Sequence, residues 1–282
     1  MVNESRMLKS LVVCISIVLL TACSIGEAEP KINNNVYFGD RNLEGMTKSQ
    51  VVELLENYSK TVEVQPKNAL FDQEKWKVVP ERNGKKLNID KTLNTIFNSG
   101  QDKKVSPIID EVKPNVTSDN IENSIVQIGK FNTEILDDQN PRVNNIEVAA
   151  NYIDNIKLMP GEEFSFNETL GKRTRDKGYQ KAPIIIRTEE GPEKGYGVGG
   201  GICQLSTTLY NSALDADMKI TERHKHSKSI GYVEKGKDAT VVYGGADLKF
   251  VNNRSNPVII KATVSGGKVT VKLYEVKDSK LL

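Results

Sequence analysis

The sequence predicts an α+β fold in which a small N-terminal α+β module precedes a larger α+β domain. Two patterns support this. Strand-like and helical segments alternate for about 80 residues after the first polar stretch, and a later helical segment is followed by five or six strand-like segments that suit antiparallel pairing. A chain of 282 residues has room for about one to two domains.

The composition excludes several classes of protein. With 38% hydrophobic and 27% charged residues, 21 Gly and 10 Pro, the chain is neither collagen-like, nor low-complexity, nor a polytopic membrane protein. The formal net charge is +2, which excludes a strongly basic nucleic-acid binder, so we predict no nucleic-acid partner. Three cysteines in a chain of this length exclude a disulfide-dense scaffold.

The first residues form a targeting segment that takes no part in the fold prediction. Arg6 and Lys9 supply a basic start, and the apolar run of 11 residues from Ser10 to Leu20 is too short to span a hydrocarbon core of ~30 Å. Leu20-Thr21-Ala22-Cys23 then resembles a bacterial lipobox, which implies cleavage before Cys23 and lipidation of its thiol. Two acyl chains anchor a protein stably, so we predict a membrane lipoprotein that faces outside the cytoplasm. A buried helix or an uncleaved anchor is the alternative.

The N-terminal module is predicted from capping and turn signals. Residues 24–35 are polar without periodicity and indicate a tether. Thr47 and Gln50 form a T-x-x-Q capping box ahead of a helical pattern. The other predicted elements are strands at Val36–Phe38, Thr61–Val64, Trp76–Val79 and Ile108–Val112 and a helix capped by Asp90.

The larger domain follows a boundary at residues 113–121. The spacing of Leu205, Leu209 and Ala213 predicts a helix over Cys203–Asp215, and Asn145 is expected to cap an earlier helix. Strands are predicted at Ile125–Phe131, Phe164–Phe166, Pro183–Ile186, Lys219–Arg223, Ser229–Val233, Asp238–Val242, Leu248–Asn252, Val258–Ala262 and Lys268–Tyr274. The predicted organisation is a signal peptide at 1–22, a tether at 23–35, an α+β module at 36–114 and a second domain at 121–276.

A run of glycines leads directly into the helix that carries Cys203. Residues 195–201 contain a literal G-x-G-x-x-G, but a charged stretch separates it from the preceding strand and the later strands look antiparallel, so we reject a dinucleotide site. Gly199, Gly200 and Gly201 instead permit a tight turn at positive φ. That turn would place Cys203 in the first turn of the helix.

A cysteine at a helix start has the surroundings of a thiol nucleophile. The helix N-terminus carries partial positive charge and unpaired N–H groups, which lower a thiol pKa from its usual ~8.5 and can hold an oxyanion. Gln204 could add an amide donor beside the backbone N–H groups of residues 201–204. Cys203 is the one cysteine left once Cys14 is removed with the signal peptide and Cys23 is lipidated.

Both histidines of the chain follow this helix, and an acidic residue follows them. His224 and His226 lie 21 and 23 residues beyond Cys203, and Asp238 comes 12 residues after His226. A nucleophile needs a base with an orienting partner, so these residues form a candidate Cys-His-Asp constellation, although Asp247 could compete for the orienting role. Residues i and i+2 of a strand share a face, which leaves the choice of histidine open.

Other interpretations of these residues remain. A cysteine on an apolar helix is commonly buried and inert. Cys203, His224 and His226 are also ligand types that Zn²⁺ accepts, although their spacing is not a standard zinc signature, and we predict no metal and no cofactor. The basic stretch Lys172–Arg175 is interpreted as a solvated loop.

From about residue 125 to residue 274 the chain resembles the VanW family. The motifs that carry the resemblance are Asn144-Asn145-Ile146, Met159 to Asn167 (MPGEEFSFN), Gly178-Tyr179, Gly197 to Leu214 (GVGGGICQLSTTLYNSAL), Arg223 with His226-Ser227, and Tyr232 to Asn253 (YVEKGKDATVVYGGADLKFVNN). The preceding module, with Val36-Tyr37-Phe38-Gly39 and Leu43 to Thr47, looks like the peptidoglycan-binding region that precedes this domain in the YoaR-like branch of the family.

The resemblance implies a cell-envelope protein and a VanW domain at 121–276, and it favours His226, which precedes a serine as in the family pattern. We therefore predict a thiol-dependent acyl transferase or an amidase or peptidase that acts on peptidoglycan. Its candidate catalytic residues are Cys203, His226, Asp238 and Gln204, and its candidate binding residues are Gly199, Gly200, Gly201, Arg223 and His224. The alternative is a non-catalytic module that binds peptidoglycan or a partner protein.

Overall fold

The computed structural model describes residues 29–278. The predicted signal peptide, the lipobox and Cys23 lie outside these residues. The described chain divides into two units. Unit 1 takes the residues up to Glu63 together with Lys86–Asp110, and unit 2 takes Val64–Lys85 and the residues from Glu111 onward.

The elements confirm the predicted α+β class. The helices are α1 (Lys48–Val62), α2 (Ile89–Phe97), α3 (Ser118–Ser124), α4 (Asn140–Ile153), α5 (Phe166–Leu170) and α6 (Ile202–Asp215). The strands are β1 (Val36–Phe38), β2 (Arg41–Asn42), β3 (Leu70–Asp72), β4 (Lys77–Val79), β5 (Gly84–Leu87), β6 (Lys103–Val105), β7 (Ile109–Val112), β8 (Ile125–Glu134), β9 (Lys157–Leu158), β10 (Glu163–Ser165), β11 (Lys181–Thr188), β12 (Gly191–Val198), β13 (Lys219–Glu222), β14 (Lys249–Val251), β15 (Val258–Ser265) and β16 (Lys268–Val276). No helix within residues 29–278 is long and apolar enough to cross a membrane.

Unit 1 packs α1 and α2 with a three-stranded sheet of order β2-β1-β6. The predicted capping box starts α1: the Thr47 hydroxyl accepts from the Gln50 N–H, and the Gln50 side chain accepts from the Thr47 N–H at 2.9 Å. The amphipathic face of α1 buries Val51 and Leu55 in the core. Burial of that face and the satisfied N–H groups together fix where the helix begins.

Three details of unit 1 differ from the sequence prediction. Of the predicted strand at 61–64, the first two residues end α1, which continues to Val62, and only Val64 forms an isolated β-bridge, with Lys85. Asn88 rather than Asp90 caps α2, because the Asn88 side chain accepts from the Lys91 N–H at 2.9 Å. Ile32, within the predicted tether, is buried and donates its N–H to the Met46 carbonyl at 3.0 Å. Packed structure therefore begins before Val36.

Unit 2 is built on a four-stranded antiparallel sheet of order β8-β16-β15-β9. Helix α6 packs on β8 and β16, and α4 packs on β15, so the cysteine-bearing helix lies on a mainly antiparallel sheet as predicted. The helix approaches β8 closely at Gly129, where an added Cβ would lie 2.4 Å from the Ser212 carbonyl oxygen. Both helices bury their apolar faces in one core.

Residues 64–85 belong to unit 2, although the sequence analysis expected them within a continuous module at 36–114. Their β3–β4 hairpin brings the ring of Trp76 to 4.8 Å from the ring of Tyr274 and under the Lys261 ammonium, which lies 5.0 Å from the ring centre. Aromatic and cation–π contacts of this kind attach a hairpin to a sheet. Trp76 thus packs within unit 2, where the residue is half-buried.

The region after α6 contains less strand than predicted. Residues 229–233 and 238–242 form loops, with one isolated bridge between His224 and Thr240. Side chains of α6, rather than a neighbouring strand, form hydrogen bonds with the backbone of this loop. Asn211 donates to the Lys237 carbonyl at 2.7 Å, and the Thr207 hydroxyl accepts from the Ala239 N–H at 3.0 Å. The loop is therefore held directly against the helix.

Asn145 was expected to cap α4 but lies inside it. The helix begins at Asn140 after the N-cap Gln139, with a proline in its first turn, the position where a missing N–H costs least. The buried Asn145 side chain therefore points into unit 2 rather than to a helix end.

Candidate active site

The glycine turn places the start of α6 as the sequence predicted. Gly199 and Gly201 have φ of +89° and +108°, and Gly201 is the N-cap of the helix. Gly200 lies against β11, where an added Cβ would be 2.6 Å from the Pro183 carbonyl oxygen and 2.7 Å from that of Ala182. Positive φ at two positions and close approach at the third explain why all three residues are glycine. Their part in the site is to position the helix start.

The side chain of Asn145 holds this turn in place by hydrogen bonds. Its side-chain amide donates to the carbonyls of Gly200 and Gln180, both at 2.9 Å, and its carbonyl accepts from the Gln180 N–H at 2.7 Å. The side chain is fully buried. Sequence reasoning quoted Asn145 only as part of a motif and as a helix cap, because nothing local shows which backbone a buried amide will meet.

Cys203 is the second residue of α6 and is partly exposed. Its sulfur meets the loop of residues 238–242: the Val241 N–H donates to Sγ at 3.5 Å, Sγ lies 3.6 Å from the Val241 carbonyl oxygen, and the Thr240 hydroxyl lies 3.5 Å away. The helix terminus and these donors stabilise a thiolate in the same place. Sequence reasoning identified the thiol but not Thr240 or Val241.

His226 joins the thiol to a carboxylate. Its ring lies beside the Cys203 thiol and lowers the pKa of that thiol, and its Nδ1 lies 2.8 Å from Oδ2 of Asp238. The same Asp238 oxygen accepts the backbone N–H of His226 at 2.6 Å. With 8% of the His226 side chain exposed, the ring has little freedom to leave this position. Cys203, His226 and Asp238 therefore come together in the order that a thiol, its base and an orienting carboxylate require.

The three groups shift each other's ionisation. Burial would raise the pKa of the Cys203 thiol, but the hydrogen bond and charge of His226, with the Val241 N–H, lower it below its usual value. Burial would lower the pKa of His226, yet Cys203 and Asp238 together raise it. Burial likewise opposes the ionised form of Asp238, and hydrogen bonds from His226 hold its pKa below the ordinary value. The arrangement favours a thiolate–imidazolium pair.

Arg223 positions the carboxylate. Its Nη2 donates to Asp238 Oδ1 at 3.0 Å and to the Gly236 carbonyl, and its Nε donates to the backbone carbonyl of Asp238. The guanidinium also lies over the ring of Tyr210, 5.3 Å from its centre. Predicted as a binding residue, Arg223 instead holds Asp238 in the orientation that His226 needs.

His224 lies outside this chain of groups. Its Nε2 is 2.9 Å from Glu222 Oε1, and 48% of its side chain is exposed. Residues 224–226 do not form a regular strand, so the two rings need not share a face. The zinc interpretation required both rings beside Cys203, and within residues 29–278 no group of three or more His, Cys, Asp or Glu side chains is arranged to hold a metal ion.

The side chain of Gln204 does not serve as the predicted oxyanion donor. It is 1% exposed, its amide donates to the Thr133 hydroxyl at 3.1 Å and to the Glu134 carbonyl at 2.9 Å, and its carbonyl accepts from Arg142. Its amide faces β8 and its carbonyl faces Arg142 of α4, rather than the thiol. Gln204 instead fixes the first turn of α6 to β8.

Asp247, the other candidate orienting residue, has a structural role. It accepts from the Ser165 hydroxyl at 2.6 Å and from the N–H groups of Asn167 and Leu248. Tyr232, quoted in the sequence only as the start of a family motif, interacts electrostatically with Cys203, and burial, with the charge of Cys203, raises its pKa. An aromatic residue in a loop gives no sequence signal for such a position.

Comparison with known proteins identifies the family of the chain. Residues 141–274 match the family model described as "VanW like protein". The chain is 38% identical over 215 residues to YoaR of Bacillus subtilis, described as uncharacterized, covering 74% of this chain and 69% of that protein. The chain belongs to the VanW family. Within its VanW domain lie the glycine turn, Cys203 and His226.

Further matches extend this assignment. Residues 46–108 match the model described as "Putative peptidoglycan binding domain". The vancomycin B-type resistance protein VanW of Enterococcus faecalis is 27% identical over 153 residues, covering 51% of this chain and 53% of that protein. A mutant of BA3943, a CE4 family pseudoenzyme, aligns over 24% of this chain and 25% of its own at 24% identity and a TM-score of 0.18, an extent that carries no structural argument. The two family domains together support a cell-envelope protein.

Proposed function

We propose that this protein is a thiol-dependent enzyme that cleaves or transfers peptide or amide bonds of peptidoglycan. The observation that carries the proposal is the grouping of Cys203, His226 and Asp238 at the head of α6, with the His226 ring hydrogen-bonded to Asp238. A nucleophile, a base within hydrogen-bond reach and a carboxylate that orients the base are the parts that acyl transfer through a thioester requires.

The reaction follows from these positions. The Cys203 thiolate attacks the carbonyl carbon of the substrate, and a backbone N–H at the start of α6 stabilises the oxyanion. The His226 imidazolium gives its proton to the leaving amine, the C–N bond breaks, and a thioester remains on Cys203. Water or an acceptor amine then attacks the thioester while His226 takes its proton, and the thiolate leaves. The choice of acceptor decides between hydrolysis and transfer.

The backbone donor for the oxyanion is the N–H of Cys203 itself. The N–H groups on either side of it are occupied, because Ile202 donates to the Gly199 carbonyl at 3.3 Å and Gln204 donates to the Gly201 carbonyl at 2.9 Å. In this proposal the Thr240 hydroxyl, which lies 3.5 Å from the sulfur, is the second hydrogen-bond donor to the oxyanion.

An acyl-enzyme experiment tests the proposal. The full-length protein is incubated with solubilised peptidoglycan fragments, quenched in acid and digested, and Cys203 is examined by mass spectrometry for a thioester adduct. We expect an adduct on Cys203 of the wild type, none on the Cys203→Ala variant, and a strongly reduced amount on His226→Gln. Absence of any adduct or product from the wild type across fragments of different peptide length would contradict the proposal.

A non-catalytic role is the second candidate, and the match of residues 46–108 to a peptidoglycan-binding model favours it. In that case purified cell wall would retain the protein saturably, the Cys203→Ala variant would bind equally well, and no thioester would form. Binding by unit 1 and catalysis in unit 2 are compatible, so the adduct and not the retention decides between the two functions.

We further propose lipid anchoring at Cys23, on the strength of the lipobox-like Leu20-Thr21-Ala22-Cys23. Two acyl chains would hold the protein on the membrane with the catalytic domain facing the wall. Metabolic labelling with an alkyne fatty acid should label the wild type and not Cys23→Ser. Equal labelling of both would contradict anchoring at this residue.

A further inference from the structure

A basic side chain, that of Arg173, lies beside the glycine turn. Arg173 follows α5, and its Cβ and Cγ lie 3.3 and 3.4 Å from the position that a Cβ on Gly199 would occupy. Gly199 is two residues before the N-cap Gly201, so the Arg173 side chain borders the turn that presents Cys203. The sequence analysis interpreted this stretch as a solvated loop, but Arg173 is half-buried.

The guanidinium of Arg173 is only partly satisfied. Nη1 donates to the Gly171 carbonyl at 2.9 Å, and the group lies 5.7 Å from the centre of the Phe166 ring. Nη2 is buried and has no hydrogen-bond partner among the residues that the structure describes, and none of the ion pairs within residues 29–278 includes Arg173. Buried charged donors are normally paired, because an unmet one costs its full desolvation energy.

Tyr179 adds a second unmet donor. The residue is 1% exposed, and its hydroxyl has no hydrogen-bond partner within the described chain. Burial raises the pKa of Tyr179 to about 12 despite the charge of Arg173, so the hydroxyl stays protonated and able to donate. Arg173 interacts electrostatically with both Tyr179 and Cys203, and its contact at Gly199 places its side chain at the turn before Cys203.

Within residues 29–278 no ion pair or hydrogen bond joins an acidic side chain to these two unmet donors. Asp247 is the carboxylate within electrostatic reach of Arg173, and its oxygens already accept from Ser165, Asn167 and Leu248. Two unpaired donors, one of them on a cation, match the oxygens of a carboxylate better than they match a neutral group.

We propose that Arg173 and Tyr179 bind a carboxylate group of the substrate beside Cys203. The acyl donor therefore carries a free carboxylate close to the bond that the thiolate attacks, as in a peptide whose C-terminal residue is the leaving group. This inference rests on the proposed function, since it assigns the substrate class of the same thiol. It makes Arg173 a specificity residue and Tyr179 its partner.

Alkylation with two reagents of similar size but different charge tests the inference. The full-length protein reacts with iodoacetate or with iodoacetamide at neutral pH, and the rate constant at Cys203 is followed by mass spectrometry of its tryptic peptide. We expect the ratio of the iodoacetate rate to the iodoacetamide rate to exceed that of a free thiol. Arg173→Met should lower this ratio by about fivefold, whereas Arg173→Lys, which keeps the charge, should retain most of it.

Arg175→Met is the matched control, because Arg175 is an exposed cation in the same loop and its loss should leave the ratio unchanged. Tyr179→Phe should lower the ratio less than Arg173→Met does. An unchanged ratio in Arg173→Met with a wild-type melting temperature would overturn the carboxylate site but leave the thiol enzyme intact. If Cys203 reacts with neither reagent faster than a free thiol does, the proposed function fails, and the carboxylate site fails with it.

Discussion

The Nδ1 atom of His226 lies 2.8 Å from Oδ2 of Asp238, and the backbone N–H of His226 donates to the same oxygen at 2.6 Å. One carboxylate oxygen therefore fixes both the ring and the main chain of the histidine. The ring is directed at Cys203 by a contact that a flexible surface histidine would not keep. Because of this double contact, His226 and Asp238, which follow α6 in the sequence, can act together with the Cys203 thiol on that helix.

Removing the imidazole should raise the pKa of the thiol. In His226→Gln the burial of Cys203 remains but the group that offsets it is lost, so the pKa should rise above the usual ~8.5. The rate of iodoacetamide alkylation at pH 7 should fall by about tenfold or more, since each pKa unit changes the thiolate fraction tenfold. His224→Gln is the matched control and should react like the wild type, because that ring contacts Glu222. Equal rates in the two variants would show that His226 does not ionise the thiol.

Loss of Arg223 should weaken both stability and reactivity. Arg223→Met leaves the largely buried Asp238 carboxylate without its cation, which should lower the free energy of unfolding by about 2 kcal/mol, less than for a fully buried pair. Urea denaturation measures this change, and alkylation of Cys203 should slow as Asp238 loses its orientation. Arg175→Met should change stability by less than about 0.5 kcal/mol. A variant as stable as the wild type would remove the positioning role of Arg223.

Gly200 should not tolerate a side chain. In Gly200→Ala the new Cβ would lie 2.6 Å from the Pro183 carbonyl oxygen, and because this neighbour is backbone, β11 or the helix start must shift. We expect a loss of about 1–3 kcal/mol in stability and slower alkylation of Cys203. Gly245→Ala is the control, since its Cβ would meet nothing nearer than 3.8 Å. Wild-type behaviour of both variants would contradict the close approach at Gly200.

Variants of Asn145 and of its neighbour Asn144 compare the loss of a buried amide with the loss of an exposed one. Asn145→Ala leaves the Gly200 and Gln180 carbonyls and the Gln180 N–H without their partner, so unfolding free energy should fall by about 2–3 kcal/mol. Asn144 makes an exposed bond to the Gly178 carbonyl, and Asn144→Ala should cost well under half of that. Thermal melting of the two variants measures the difference, and equal melting temperatures would contradict the account of Asn145.

The part of the site that depends on neighbouring residues in the sequence, the glycine turn and the helix start, was predictable. Positive φ at Gly199 and Gly201 and the helical spacing after them place Cys203 at a helix start without knowledge of the rest of the fold. Gln204 could not be placed in this way, because successive helical residues point about 100° apart and only the sheet shows which side is buried. The strand prediction at 238–242 was wrong for a similar reason. The backbone of this loop binds side chains of α6, and strand propensity alone does not reveal such partners.

The choice of histidine and the identity of Arg173 also depended on distant contacts. A regular strand would have put His224 and His226 on one face, but the irregular chain after β13 separates them. Arg173 looks like one charge among several in Lys172–Arg175, and its burial arises from the glycine turn and Phe166, which come from other parts of the sequence. The fold class, in contrast, followed from periodicity along the chain.

A pH titration of the thiolate tests the central claim most directly. The ultraviolet absorbance of the thiolate is followed in the full-length protein, and the curve of Cys203→Ser is subtracted so that the remaining signal belongs to Cys203. Pairing with the imidazolium predicts that this signal persists well below pH 8.5, and that in His226→Gln it appears only at higher pH. A wild-type thiolate that forms at or above pH 8.5, unchanged in His226→Gln, would contradict the account.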